Sequence, residues 1–152
     1  MTAPIQLIAP IDHSKLNIRC ASYEISSPNW PVSVYLHYVF EPPHGDCCQQ
    51  LLANHQILPG YIWGNELYWA PCGRYLSADW TGDKDSLDRR GVLVDLAESN
   101  YLDLGKNFRA MKLEDNVLTG VDSGGKIKKI PIHASNAWKS IASQDLKPIK
   151  FK

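Results

Sequence analysis

The sequence predicts a mainly β protein, an antiparallel meander or sandwich of short strands with one or two short helices. Three observations carry this reading. Residues 18–40 favour extended backbone: "NIRCASYEIS" alternates, "SPNWP" breaks, and "VSVYLHYVF" is dense in β-branched and aromatic side chains. From Tyr61 onward, turn residues recur between short apolar runs, which is the punctuation of consecutive hairpins. Only two stretches, near residues 46–55 and 135–142, carry a helical pattern.

In "VSVYLHYVF", Val32, Val34, Leu36 and Tyr38 share one face and Ser33, Tyr35, His37 and Val39 the other. Both faces carry apolar groups, so a central strand is expected. "EPPHGD" ends it, and Asp46 can cap a helix running to about His55, with Gln49 at its third position completing a capping box. "LPG" at residues 58–60 closes that helix. "YIWGNELYW" sets Gly64 and Asn65 between apolar runs, predicting a tight hairpin turn there. "LYWAPCGRYLSADW", Leu67 to Trp80, reads as strand, turn at Pro71 to Gly73, and strand. Further turns are expected at Glu98 to Asn100, at Asp115 and Asn116, and at Ser123 to Gly125. "SNAWKSIASQ" predicts a short helix from Ser135 or Asn136 that buries Trp138, Ile141 and Ala142, and residues 146–152 read as a basic, frayed tail.

At 152 residues the chain suits a single domain, 1–152, long enough to bury a core without staples or metal. Lysine plus arginine equals aspartate plus glutamate at 16 each, so no global field draws nucleic acid or an anionic membrane. The N-terminal stretch has no basic cluster, and Pro4, Gln6, Pro10 and Asp12 interrupt its apolar residues, so neither a signal peptide nor a spanning segment is read and a cytoplasmic location is expected. Cys20, Cys47, Cys48 and Cys72 lack the density of a disulfide scaffold and are expected as thiols.

"YWAPCGRYLSADW" resembles the strand-turn-strand signature of β-propeller repeats of the TolB and WD40-like type, through Pro71, Gly73, Arg74, Tyr75 and Leu76. Ala70 and Cys72 depart from it. "GVLVDLAESNYLDLG" fits the following strand pair, with Asp95 before the turn, and the resemblance covers about residues 57–132. It implies propeller-like hairpins and no activity. A blade takes about 40–45 residues and a ring at least about four blades, so the chain is too short for a full propeller.

Candidate sites are weighed against plainer roles. His44, Cys47, Cys48 and His55 suggest zinc, but adjacent cysteines converge poorly on a tetrahedral ion and the segment reads better as a turn and a helix. Cys48 at a helix start would gain thiolate character, yet no nucleophile signature surrounds it. "DWTGDKDSLDRR" fails as a calcium loop: started at Asp83, the glycine position falls on Asp88 and the terminal glutamate position on Val94. It reads as a solvated, charged hairpin loop. Lys126, Lys128 and Lys129 read as guards of an edge strand rather than an RNA surface. No metal or cofactor is assigned.

The remaining feature is an acidic and aromatic patch on the expected meander, formed by Glu66, Trp69, Asp79, Trp80, Asp83, Asp85 and Asp88, suited to a basic protein partner. It points to a non-enzymatic cytoplasmic protein-binding domain, similar in type to the immunity proteins with which bacteria neutralise toxin domains. Neither nucleic acid nor membrane is read as a partner. The alternative is a small enzyme or ligand binder with a pocket beside the 46–55 helix, rimmed by His44, His55, Cys48 or Asp79.

Overall fold

A computed structural model describes residues 3–10, 12, 15–29, 31–40, 47–54, 56–81, 89–106, 108–114, 116–122, 124–132 and 138–141. Among these residues fourteen strands follow in chain order: β1 Ile5–Ile8, β2 Leu16–Asn17, β3 Tyr23–Ser26, β4 Ser33–Phe40, β5 Cys48–Ala53, β6 Gln56–Ile57, β7 Tyr61–Trp69, β8 Tyr75–Thr81, β9 Arg90–Asp95, β10 Asn100–Lys106, β11 Arg109–Glu114, β12 Val117–Val121, β13 Ile127–Pro131 and β14 Lys139–Ser140. The large sheet runs β1-β3-β4-β5-β7-β8-β9-β10-β14, with β2 added to β7 and β6 to β5. A separate three-stranded sheet runs β11-β12-β13. Among the described strands, the β1–β3 pair is parallel and the other pairs are antiparallel.

The mainly β expectation holds, and β4 is the interior strand its residues predict. Val34 and Leu36 are fully buried while Tyr35 and His37 on the other face are half-buried. Strand β9 shows why a sheet of this width needs two cores. Val92 and Val94 point into the larger core with Ile25, Leu36, Leu51, Leu67 and Trp69. Leu93, on the opposite face, joins Leu102, Leu104, Phe108, Ala110, Leu118 and Ile132 in a second core beneath the three-stranded sheet. The run "GVLVDL" is thus covered on both sides, as a continuous apolar strand should be.

The Leu67 to Trp80 hairpin forms where its sequence places it. Ala70 N–H donates to Tyr75 O at 2.9 Å, Gly73 N–H to Ala70 O at 2.8 Å, and Gly73 takes φ +83°. Arg74 then reaches across to the buried Asp95, donating from Nε to Oδ1 at 2.9 Å and from Nη2 to Oδ2 at 2.8 Å. Asp95 Oδ1 also accepts the Ala97 and Glu98 N–H groups, closing the β9–β10 turn. The later turns fall as expected: Asn116 has φ +59°, and Asp122 Oδ1 accepts from Gly124 and Lys126 N–H.

Neither expected helix forms among the described residues. The segment read as a helix from Asp46 to His55 holds β5, paired with β4 through Leu36↔Leu51 and Val34↔Ala53. The capping-box glutamine misleads because it is not on a solvated face: Gln49 is fully buried, and its Nε2 donates to Ala21 O at 2.7 Å and Arg19 O at 3.3 Å. The pocket envisaged beside that helix therefore loses its wall. Near the C-terminal end, Lys139 and Ser140 pair with Tyr101 and Asn100 as β14, sending Trp138 to the second core and Ile141 to the first. Residues 133–137 and 142–152, and with them the rest of the expected helix and the tail, lie outside the described residues.

Two further expectations are corrected. Gly64 and Asn65 do not turn the chain, since β7 continues from Tyr61 to Trp69 and Gly64, at φ +114°, lies in a bulge. Cys20 and Cys47 are joined as a disulfide with Cα atoms 5.4 Å apart, tying the β2–β3 connection to the start of β5. Cys48, buried, and Cys72, exposed, remain thiols.

Candidate functional site

The bulge in β7 creates a gathering of charge among the described residues. Register runs Ile62↔Trp80 and then Leu67↔Ala78, so Trp63, Gly64, Asn65 and Glu66 on β7 lie opposite Asp79 alone on β8. A glycine inside a strand marks such a kink. Gly64 is favoured there by its positive φ, and a Cβ would stand 2.7 Å from Arg89 Nη2 and push that guanidinium out of its place.

Into that notch the guanidinium of Arg89 settles over the Trp63 ring, 5.2 Å from its centroid. It donates to Asp79 Oδ2 from Nε at 3.1 Å and lies 2.9 Å from the same oxygen through Nη2. Arg109 at the start of β11 donates from Nη2 to this oxygen at 3.1 Å. The Asp79 side chain is only 14% exposed, whereas that of Arg109 is 50% exposed. Asp79 pushes the Arg109 pKa up, against partial burial. Beside this cluster Lys15 approaches Glu66 Oε1 at 3.1 Å, and Tyr68 donates its hydroxyl to Glu66 Oε2 at 3.3 Å. Burial, reinforced by Glu66, pushes the Tyr68 phenol up, so it stays a donor at neutral pH.

Glu66, Tyr68, Asp79 and Arg109, with Ala78 and Ala110, line the mouth of a shallow surface groove between β7–β8 and β11 that has no room for even a water molecule. Tyr68 and Ala110 also line a more apolar slot with Trp69, Tyr75, Leu93 and Leu118, with room for about one water molecule. Neither encloses space on the scale of the roughly 300–1,000 Å³ of small-molecule sites.

Of the expected patch, Glu66 and Asp79 do meet at this mouth. Trp69 and Trp80 do not present their rings to a partner: they are 1% and 5% exposed in the larger core. Trp69 Nε1 donates to Ser27 Oγ at 3.0 Å and Trp80 Nε1 to Pro59 O at 2.7 Å, so their polar edges are used internally. Asp83, Asp85 and Asp88 lie outside the described residues, as do His44 and His55. Cys47 is spent on a disulfide and so supplies no thiolate. Among the described residues, no three His, Cys, Asp or Glu side chains gather around a metal position.

The mouth is also not the acidic surface expected from its carboxylates. Lys15, Arg89 and Arg109 set three cations against Glu66 and Asp79. Sequence reasoning missed Lys15 and Arg109 because they are 51 residues from Glu66 and 30 from Asp79; Arg89, only 10 from Asp79, reads in the sequence as part of a solvated loop. Gly64 within an apolar run was the one local signal of the notch. No family model, curated protein or solved structure matches this chain.

Proposed function

We propose that this chain is a non-enzymatic protein-binding domain whose contact surface is the charged mouth around Asp79, blocking or scaffolding another protein in the manner of an immunity protein against a toxin domain. The carrying observation is the half-exposed Arg109, held by the nearly buried Asp79 above a shallow groove. An arginine pre-positioned by an internal carboxylate loses less side-chain entropy on binding than a free one, and arginine is enriched among the residues that dominate interfaces. Lys15, Glu66 and Tyr68 supply a polar rim with both signs of charge beside it. Such a rim suits a partner of mixed charge, with Asp83, Asp85 and Asp88 adding acidic contacts if their loop joins the interface. The small groove volume favours recognition by surface over enclosure of a metabolite.

The test is a calorimetric titration of the stoichiometric protein captured from the native host, against the wild type, Arg109→Glu and the charge reversal of Asp83, Asp85 and Asp88. Affinity at least about tenfold weaker for Arg109→Glu is expected, equivalent to about 1.4 kcal/mol. Equal affinity for both variants would remove this face from the interface.

A further inference from the structure

Two open strand edges, β13 in the small sheet and β1 in the large one, are built differently. Among the described strands, β13 pairs only with β12 and β1 only with β3. The β13 edge is guarded, with exposed Lys126, Lys128 and Lys129 along it and Pro131 at its end. Lysine and proline are the usual devices against unwanted strand addition. The β1 edge has no charged residue from Ala3 to Pro10, and it leaves Ile5 46% and Ile8 78% exposed.

The main chain of β1 specifies what can pair with it. Ile5 N–H donates to Ser22 O and Ala9 N–H to Ser26 O, each at 2.9 Å, so the odd-numbered residues are engaged with β3. By alternation Gln6 and Ile8 turn their N–H and C=O groups outward. The flanking residues of the same parity are Pro4 and Pro10, which have no N–H to offer. The edge therefore presents two outward donors, two residues apart, fenced by prolines.

We propose that this edge is the interface of a homodimer, formed by antiparallel pairing of β1 with β1 of a second copy about a two-fold axis through Leu7. In that register Gln6 faces Ile8 of the second copy and Ile8 faces its Gln6, so every outward N–H meets a carbonyl. Pro4 faces Pro10 of the second copy, where no donor is left unpaired. Shifting the axis to Gln6 would set Ile8 against Pro4 and leave a carbonyl without its donor.

The side chains agree with this register. Ala9 is buried in the larger core and Leu7 packs against it, so Leu7 meeting its own mate extends that apolar face across the axis. Charge agrees as well. Glu24, which accepts from Gln6 Nε2 at 3.2 Å, lies one strand inward, placing the two copies' Glu24 residues three strand spacings, about 14 Å, apart. That exceeds the screening length of about 8 Å at physiological salt. The interface is isologous, and the prolines confine the ladder to one closed pair of strands.

Four main-chain hydrogen bonds over a short strand place the dimer in the weak class, so its mass is followed by sedimentation equilibrium from about 1 µM to about 1 mM. The wild type is expected to pass from monomer to dimer in this range. Ile8→Lys, at an exposed position, and Gln6→Pro, which removes an outward main-chain donor together with the exposed side-chain bond to Glu24, should each raise the dissociation constant at least about tenfold, whereas Ile127→Lys on the guarded edge leaves it unchanged. Thermal melts identify which variants remain folded. A wild type still monomeric at about 1 mM, or a dimer that persists in both β1 variants, would overturn the assignment.

Discussion

Removing the Cys20–Cys47 cross-link is a perturbation whose size follows from the chain itself. The two cysteines are 27 residues apart. The loop-closure relation, with 2.1 plus 1.5R ln n as the entropy withdrawn from the unfolded ensemble, gives about 12 cal/mol/K and hence about 3.5 kcal/mol at 25 °C. For a chain of this length each kcal/mol moves Tm by about 2–4 °C, so the Cys20→Ala, Cys47→Ala double variant should melt about 7–14 °C below the oxidised protein. Reduction of the wild type should reproduce most of that fall, and reductant should leave the double variant unmoved. Cys48→Ala serves as the control for the neighbouring buried thiol. Differential scanning calorimetry with and without reductant reads all four states, and a thiol titration of protein taken from its host reports whether the bond exists there. Equal Tm for oxidised and reduced wild type would refute the reasoning, showing that the cross-link constrains no part of the unfolded chain. The outcome also bears on location, since such a bond persists in oxidising compartments and is rare in the cytosol.

Three other outcomes are expected. Asp95→Ala removes the carboxylate that holds Arg74 and two turn amides, and loss of these charge-assisted hydrogen bonds should cost about 2–3 kcal/mol in urea unfolding; a loss under about 1 kcal/mol would mean the hub is replaceable by solvent. Glu66→Gln removes a charge that raises the Tyr68 phenol, so a spectrophotometric titration should show one tyrosine ionising at lower pH than in the wild type, and identical curves would separate Tyr68 from Glu66. Burial holds the His37 pKa below its ordinary value of 6.5, so the native state binds fewer protons than the unfolded chain; the resulting stability is full above pH 6.5 and declines as pH falls below it. His37→Gln should remove that part of the pH slope between pH 7 and 5, and an unaltered slope would assign it to other groups.

What the sequence discloses and what it conceals divide along the range of the signal. Strand β4 and the turns after residue 70 are legible because alternation and turn chemistry are local: Gly73 and Asn116 adopt the positive φ that their positions suggest. Strand β5 is not legible, since burying Gln49 and Gln50 inside a sheet contradicts the polarity that made them resemble a helix surface. The Cys20–Cys47 bond and the Lys15–Glu66 pair join segments 27 and 51 residues apart, beyond any spacing rule. At the candidate site, Glu66 and Asp79 are visible as carboxylates near a glycine, but their charge is answered by arginines that tertiary pairing delivers. Trp69 and Trp80 show the limit of period-two reasoning, because in a sheet covered on both sides alternation cannot distinguish an exposed ring from a core ring.

The most direct measurement on the central claim is amide hydrogen exchange of the chain alone and bound to its captured partner. Binding at the Asp79 mouth is expected to slow exchange at the β7 bulge around Gly64 and Glu66 and at Arg109, while β12 and β13 exchange as in the free protein. Protection confined to other strands, with Gly64, Glu66 and Arg109 unchanged, would contradict it.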